Sequence, residues 1–124
     1  MRSRALSDQL ANVFRAFDAQ DVPTLVASVT EDVQLRLGNA PMTQGRSAFI
    51  DAVNAFHSSV AGVHHEILDV YSDGDVAVVE FAVHYTRLDG KSVTLPCCNV
   101  FRIRDGLISA YRSYMDATPV YADL

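Results

Sequence analysis

The 124-residue chain is 49% apolar and 20% charged, the make-up of one soluble globular domain large enough for a real core and a modest cavity. Its net charge of −5 argues against nucleic acid or an anionic membrane surface as a partner, and no apolar run approaches the roughly 18 residues of a membrane span. The two cysteines, Cys97 and Cys98, are neighbours; consecutive strand residues point to opposite faces, so they do not form a structural disulfide.

The N-terminus "MRSRALSDQLANVF" is polar and periodic, without the apolar stretch of a signal peptide, so the cytoplasm is the expected compartment. Leu6, Leu10, Val13, Phe14 and Phe17 recur at helical spacing, with Ser3 or Ser7 as cap. Asp21 caps a second helix that tolerates Pro23 in its first turn and turns Leu25, Val26 and Val29 inward. "DVQLRL" alternates as a short strand with Val33, Leu35 and Leu37 on one face. "GNAPMTQG" is a loop, and residues 47–58 form a third helix through Phe49, Ile50, Val53, Ala55 and Phe56.

After Gly62 the pattern changes to four long β-rich runs punctuated by Asp-Gly pairs, the strongest short-range hairpin signal. Three helices followed by an antiparallel meander make an α+β fold, with residues 1–124 as a single domain.

Chemistry concentrates on the strands. Leu95, Cys97, Asn99, Phe101 and Ile103 share one face, and Asn99 is an uncharged amide in an apolar run. With Arg104-Asp105-Gly106 as a three-residue loop, Asn99 lies opposite Tyr111 and Cys97 opposite Ser113. Asp89-Gly90 has two registers. As a two-residue turn it puts His84 beside Leu95 and Glu80 beside Asn99; a three-residue loop sends both outward. Val79, Phe81, Val83 and Tyr85 form the more apolar face of that strand, which by itself favours the second. His57, His64 and His65 invite a metal reading, yet adjacent strand residues diverge, and no carboxylate-rich spacing supports a metal site or any other cofactor.

The order of elements, with "EDV" at the first strand, "GR" opening the third helix and "NVFRIRDGLISAYRSYMD" near the end, resembles the nuclear transport factor 2-like superfamily. Within it the similarity is to SnoaL-like polyketide cyclases, limonene-epoxide hydrolases and ketosteroid isomerases, over nearly the whole chain. The resemblance implies a cone-shaped roll: three N-terminal helices packed on a curved, mostly antiparallel sheet, with a pocket between. It also implies that Asn99 stands where the isomerases keep an acid that donates to the substrate oxyanion, and that Ala82 and His84 stand at an Arg and an Asp of the epoxide hydrolases. Those positions turn Glu80, Ala82 and His84 toward the pocket, beside Asn99. His84 or Glu80 then moves the proton and Asn99 holds the oxyanion. Leu35, Leu37, Ala82, Cys97, Phe101, Tyr111, Ser113 and Met115 line the substrate site.

The opposite face, with Val79, Phe81, Val83, Val100 and Tyr114, is left for a homodimer. Departures accompany the likeness. Ser113 replaces the epoxide hydrolases' water-activating Asp, and Leu35 and Leu37 replace the residues that hold that water. Leu37 also falls at the isomerases' base, and Val13 at their oxyanion Tyr. The expected function is acid–base isomerisation or ring closure of a small apolar carbonyl compound, polyketide- or steroid-like. The alternative is a non-catalytic small-molecule-binding or dimerisation module, and epoxide hydrolysis ranks third.

Overall fold

Leu10, Val13, Phe14, Ala16 and Phe17 are the buried stripe of α1 (Arg4–Asp18) in the computed structural model, which describes residues 4–124. Ser3 lies outside the described residues, and Ser7 is inside the helix. In α2 (Val22–Ala27) the Asp21 carboxylate accepts from the Thr24 N–H at 3.3 Å, and Pro23 occupies the first turn, where no backbone donor is needed. Gly45, at φ +96°, donates to the Val33 carbonyl at 2.8 Å and so ties the start of α3 (Arg46–Ser58) to the first strand. Phe49 and Val53 face inward from α3, whereas Ala55 is exposed.

The strands are β1 (Val29–Leu37), β2 (Thr43–Gln44), β3 (Gly62–Asp73), β4 (Val76–Thr86), β5 (Ser92–Arg104) and β6 (Leu107–Tyr114). They form one curved, unclosed sheet in the order β2-β1-β6-β5-β4-β3, antiparallel except where β1 runs parallel to β6. Two features exceed the sequence reading: the short strand β2 inside the expected loop, and a four-residue helix, α4 (Thr118–Tyr121), whose Val120 is fully buried. No described helix is long and apolar enough to cross a membrane.

The Asp105-Gly106 turn is one residue shorter than expected, and the Asp89-Gly90 loop takes the three-residue form that the apolar run of β4 favours, not the two-residue form that the family likeness implied. Arg104 pairs with Leu107, so Asp105 (φ +54°) and Gly106 (φ +78°) make a two-residue turn with both central residues left-handed. A bulge then leaves Ser109 unpaired, because Ile103 pairs with Ile108 and Arg102 with Ala110. The turn and the bulge together shift the register by two. Asn99 therefore faces Ser113 rather than Tyr111, while Tyr111 and Ser113 stay on the inner side.

At the other loop the Arg87 N–H donates to the Lys91 carbonyl at 2.8 Å, closing a loop over residues 88–90. His84 then pairs with Thr94, Ala82 with Pro96 and Glu80 with Cys98. This corrects the placement of all three, because they point to the outer face. The His84 ring is held there by Thr94 Oγ1 and Glu66 Oε1, each at 2.9 Å, and stacks on His64. Glu80 accepts from the Tyr71 hydroxyl at 3.0 Å.

The face expected to be external is the core. Val79, Phe81, Val83 and Tyr85 are all buried against the helices. Of the five residues assigned to the outer face, only Val100 and Tyr114 lie there, Tyr114 being 56% exposed. The physical reason is the one-residue register choice, which exchanges the two faces of β4 as a block.

Phe14 is the hub of this core, 1% exposed, with its ring 4.6 Å from Phe81, 5.9 Å from Phe101 and 6.0 Å from Tyr111. Phe14→Ala removes contacts to helix and sheet together and should lower unfolding stability by about 3–5 kcal/mol, read as a reduced urea midpoint. A loss below about 1 kcal/mol would mean that α1 packs elsewhere.

Candidate active site

Between α1, α3, the inner sheet face and the C-terminal segment lies a cavity of about 680 Å³. Phe17, Leu37, Ala52, Phe56 and Met115 give it apolar walls, and α4 with Ala117 roofs it. Arg87, itself buried, holds that roof by donating to the carbonyls of Pro119 and Ala122 while pairing with Asp89. Tyr121 adds a 2.9 Å hydrogen bond to Ser59.

Of the residues expected at the site, Leu37, Cys97, Tyr111, Ser113 and Met115 line the cavity. Leu35 (3% exposed) and Phe101 (0%) are inward but belong to the packed core behind the wall. Ala82, Glu80 and His84 lie on the far side of the sheet. Asn99 points inward and is 1% exposed, yet it is also behind the wall. Its Oδ1 accepts from the Cys97 thiol at 3.2 Å. Asn99 is not among the residues that line the cavity.

The pair that sequence reading missed is Asp18 and His65. The inward parity of β3 puts His65 in the cavity wall, its side chain 8% exposed, against Phe14 and Phe17. Asp18, the last residue of α1, receives the His65 backbone N–H at 2.7 Å and the ring Nδ1–H at 2.6 Å. A carboxylate at a helix C-terminus faces the negative end of the helix dipole, a locally unfavourable choice offset here by those two donors. The bond also fixes the tautomer: Nδ1 carries the proton, and Nε2, with no hydrogen-bond partner among the described residues, keeps its lone pair. The usable signals were an Asp closing an apolar helix and a histidine in step with Val63 and Ile67. His64 diverges outward, 71% exposed, with Nδ1 3.6 Å from Asp18. His57 packs on Phe17 and Phe56 instead.

The other polar groups on the wall are neutral donors. Burial pushes the Tyr111 phenol far above its ordinary pKa, aided by the nearby Cys97 and opposed by the Asn99 amide. Burial likewise raises Tyr85, whose hydroxyl meets the Met115 sulfur at 3.5 Å, and the Cys97 thiol, against the opposing Ser113 hydrogen bond. At the mouth, the Thr118 side chain and backbone hold the Asp116 carboxyl below its usual pKa. Among the described residues, no Lys or Arg lines the cavity. The arrangement therefore offers one oriented lone-pair base and several protonated hydroxyls within apolar walls.

The raised phenols make stability pH-dependent in a definite direction. In the unfolded chain tyrosines ionise near pH ~10, whereas folded Tyr85 and Tyr111 keep their protons to higher pH. Their contribution is therefore complete below about pH 10 and is lost as the pH rises toward the folded values. Urea midpoints should fall on moving from neutral to strongly alkaline buffer, and Tyr111→Phe should flatten that fall. An unchanged slope in the variant would contradict the burial of this phenol.

Among curated proteins, none matches this chain. Among solved structures, a putative polyketide cyclase from Sinorhizobium meliloti is 27% identical, covering 91% of this chain and 99% of that one, with a TM-score of 0.74. An NTF2-like protein of unknown function from Burkholderia pseudomallei is 17% identical at a TM-score of 0.86, covering 94% and 96% of the two chains. An LEH-like epoxide hydrolase from M. tuberculosis is 19% identical at 0.76, covering 92% and 84%. The SnoaL-like domain family model matches residues 10–111, so the chain belongs to the SnoaL-like domain family.

Proposed function

We propose that the protein is an acid–base enzyme acting on a small, mostly apolar carbonyl compound, isomerising it or closing a ring by proton abstraction beside the carbonyl. The observation that carries this reading is the Asp18–His65 pair, with Nε2 lacking a hydrogen-bond partner among the described residues, in the wall of a cavity whose other charged lining group is Asp116 at its mouth. His65 Nε2 takes the C–H proton, and the imidazolium that forms is stabilised by Asp18. The electrons pass to the carbonyl oxygen, where the Tyr111 phenol donates to the developing enolate. Returning the proton to a different carbon gives isomerisation. Attack of the enolate on a second carbonyl gives the ring. The absence of Lys and Arg from the wall among the described residues suits an uncharged substrate, and the cavity's volume suits one of a few fused rings. The polyketide-cyclase likeness agrees with this class of substrate. Epoxide hydrolysis is disfavoured because Ser113, at the place of its water-activating Asp, is no base.

The test uses α-tetralone, a bicyclic aryl ketone with an enolisable C–H, in heavy water. The native protein should speed deuterium uptake beside the carbonyl, followed by proton NMR. His65→Gln should lower the rate about 100-fold or more, and Tyr111→Phe by about 100-fold. If the native protein binds the ketone and exchange stays at the buffer rate, the chain is a binding module and the catalytic reading fails.

A further inference from the structure

Val79, Phe81, Val83 and Tyr85 alternate along the inner face of β4, and of the four only Tyr85 carries a polar side-chain atom. Phenylalanine would pack on Phe56 as well, the two ring centres being 6.3 Å apart, so it is the hydroxyl that needs a reason. That hydroxyl donates to the Met115 sulfur at 3.5 Å and to no oxygen or nitrogen among the described residues. A buried phenol ordinarily finds a stronger acceptor than a thioether. Tyr121 in the roof shows the contrast, its hydroxyl meeting Ser59 Oγ at 2.9 Å. Tyr85 and Met115 both line the cavity. An oxygen placed there competes with the sulfur for the Tyr85 proton and is the better acceptor.

The place of the hydroxyl is as telling as its weak partner. His65 faces Val83 across the β3–β4 pair, and Tyr85 faces Val63. Tyr85 is therefore the diagonal neighbour of His65 on the inner face, roughly 7–8 Å away between Cα atoms, a separation that long side chains bridge. A base and a donor that close can engage adjacent atoms of one small molecule. We infer that Tyr85 is a further catalytic residue, its hydroxyl held in reserve on the Met115 sulfur until the substrate's carbonyl oxygen takes the hydrogen bond. The inference rests on the acid–base reading and names a second donor beside Tyr111. As His65 Nε2 takes the C–H proton, the electrons of that bond form the carbon–carbon double bond of the enolate, and the carbonyl π electrons move to oxygen. Tyr85 keeps its own proton throughout and donates to the growing charge. Burial, which raises the phenol above its ordinary pKa, keeps it a donor at neutral pH.

Two measurements with Tyr85→Phe decide it, since that variant keeps the ring and removes only the hydroxyl. The first is the carbon-13 resonance of α-tetralone labelled at the carbonyl and bound at saturating protein. Hydrogen bonds to oxygen move this resonance downfield, so it should lie upfield in Tyr85→Phe relative to the native complex. An unchanged resonance in the variant overturns the inference, because the hydroxyl then stays on Met115 or serves packing alone. The second is deuterium exchange into the same ketone. Tyr85→Phe should lower kcat about 100-fold and change KM far less, the mark of an interaction that strengthens as charge develops. A change in KM alone, or a native rate, overturns the catalytic role. If the native protein binds the ketone without exchanging it, the acid–base reading fails, while the carbonyl resonance still decides whether Tyr85 donates. Failure of the native protein to bind the ketone overturns both.

Discussion

The register between β4 and β5 is the constraint on which the rest of the molecule depends. It is set where Arg87 and Lys91 close a loop over residues 88–90, and it turns Val79, Phe81, Val83 and Tyr85 onto the helices. Because side chains alternate with a period of two, a slip of one residue would bury Glu80 and His84 and expose four apolar side chains. The same arginine then reaches from that loop to the carbonyls of Pro119 and Ala122. One hairpin end thereby selects the core face and secures the roof of the cavity.

Within that frame the cavity joins two kinds of polarity. The Asp18–His65 pair supplies charge-assisted bonding at 2.6 Å and an oriented lone pair. Opposite it the β5–β6 wall is neutral throughout, its phenol and thiol kept protonated by burial. A carboxylate in that wall would compete with substrate oxygens for hydrogen bonds, whereas neutral donors strengthen as an oxyanion forms. The aromatic hub links the two sides, since Phe14 touches both His65 and Tyr111 and fixes their rings relative to one backbone.

The outer face has a different character from the one first expected. His84, Glu66, Thr94 and His64 form a surface hydrogen-bonded and stacked cluster, and Glu80 is engaged by Tyr71. These side chains satisfy one another at the solvent boundary, where a histidine needs no functional reason to exist.

By itself the sequence determined the order of the three main helices and the long strands, though not β2, α4 or the start of β1 at Val29. Helical periodicity before residue 60 and Asp-Gly punctuation after it are local signals, and so is the Asp21 cap. It also determined that Cys97, Asn99, Phe101, Tyr111 and Ser113 share one face, because parity survives a register shift of two. Which strand face meets the helices was carried by the apolar run of Val79, Phe81, Val83 and Tyr85, and the positional likeness to other enzymes pointed the other way. Loop lengths and the unpaired Ser109 were decided only in three dimensions, because an Asp-Gly pair is compatible with turns of two or three residues. The Asp18–His65 pair is tertiary in the strictest sense. Its partners stand 47 residues apart, and only the packing of α1 across β3 brings the carboxylate to the ring. Depth is likewise a tertiary property: alternation put Asn99 on the inner face with Cys97, Tyr111 and Ser113, yet those three line the cavity and Asn99 does not, because parity fixes a side and not a depth.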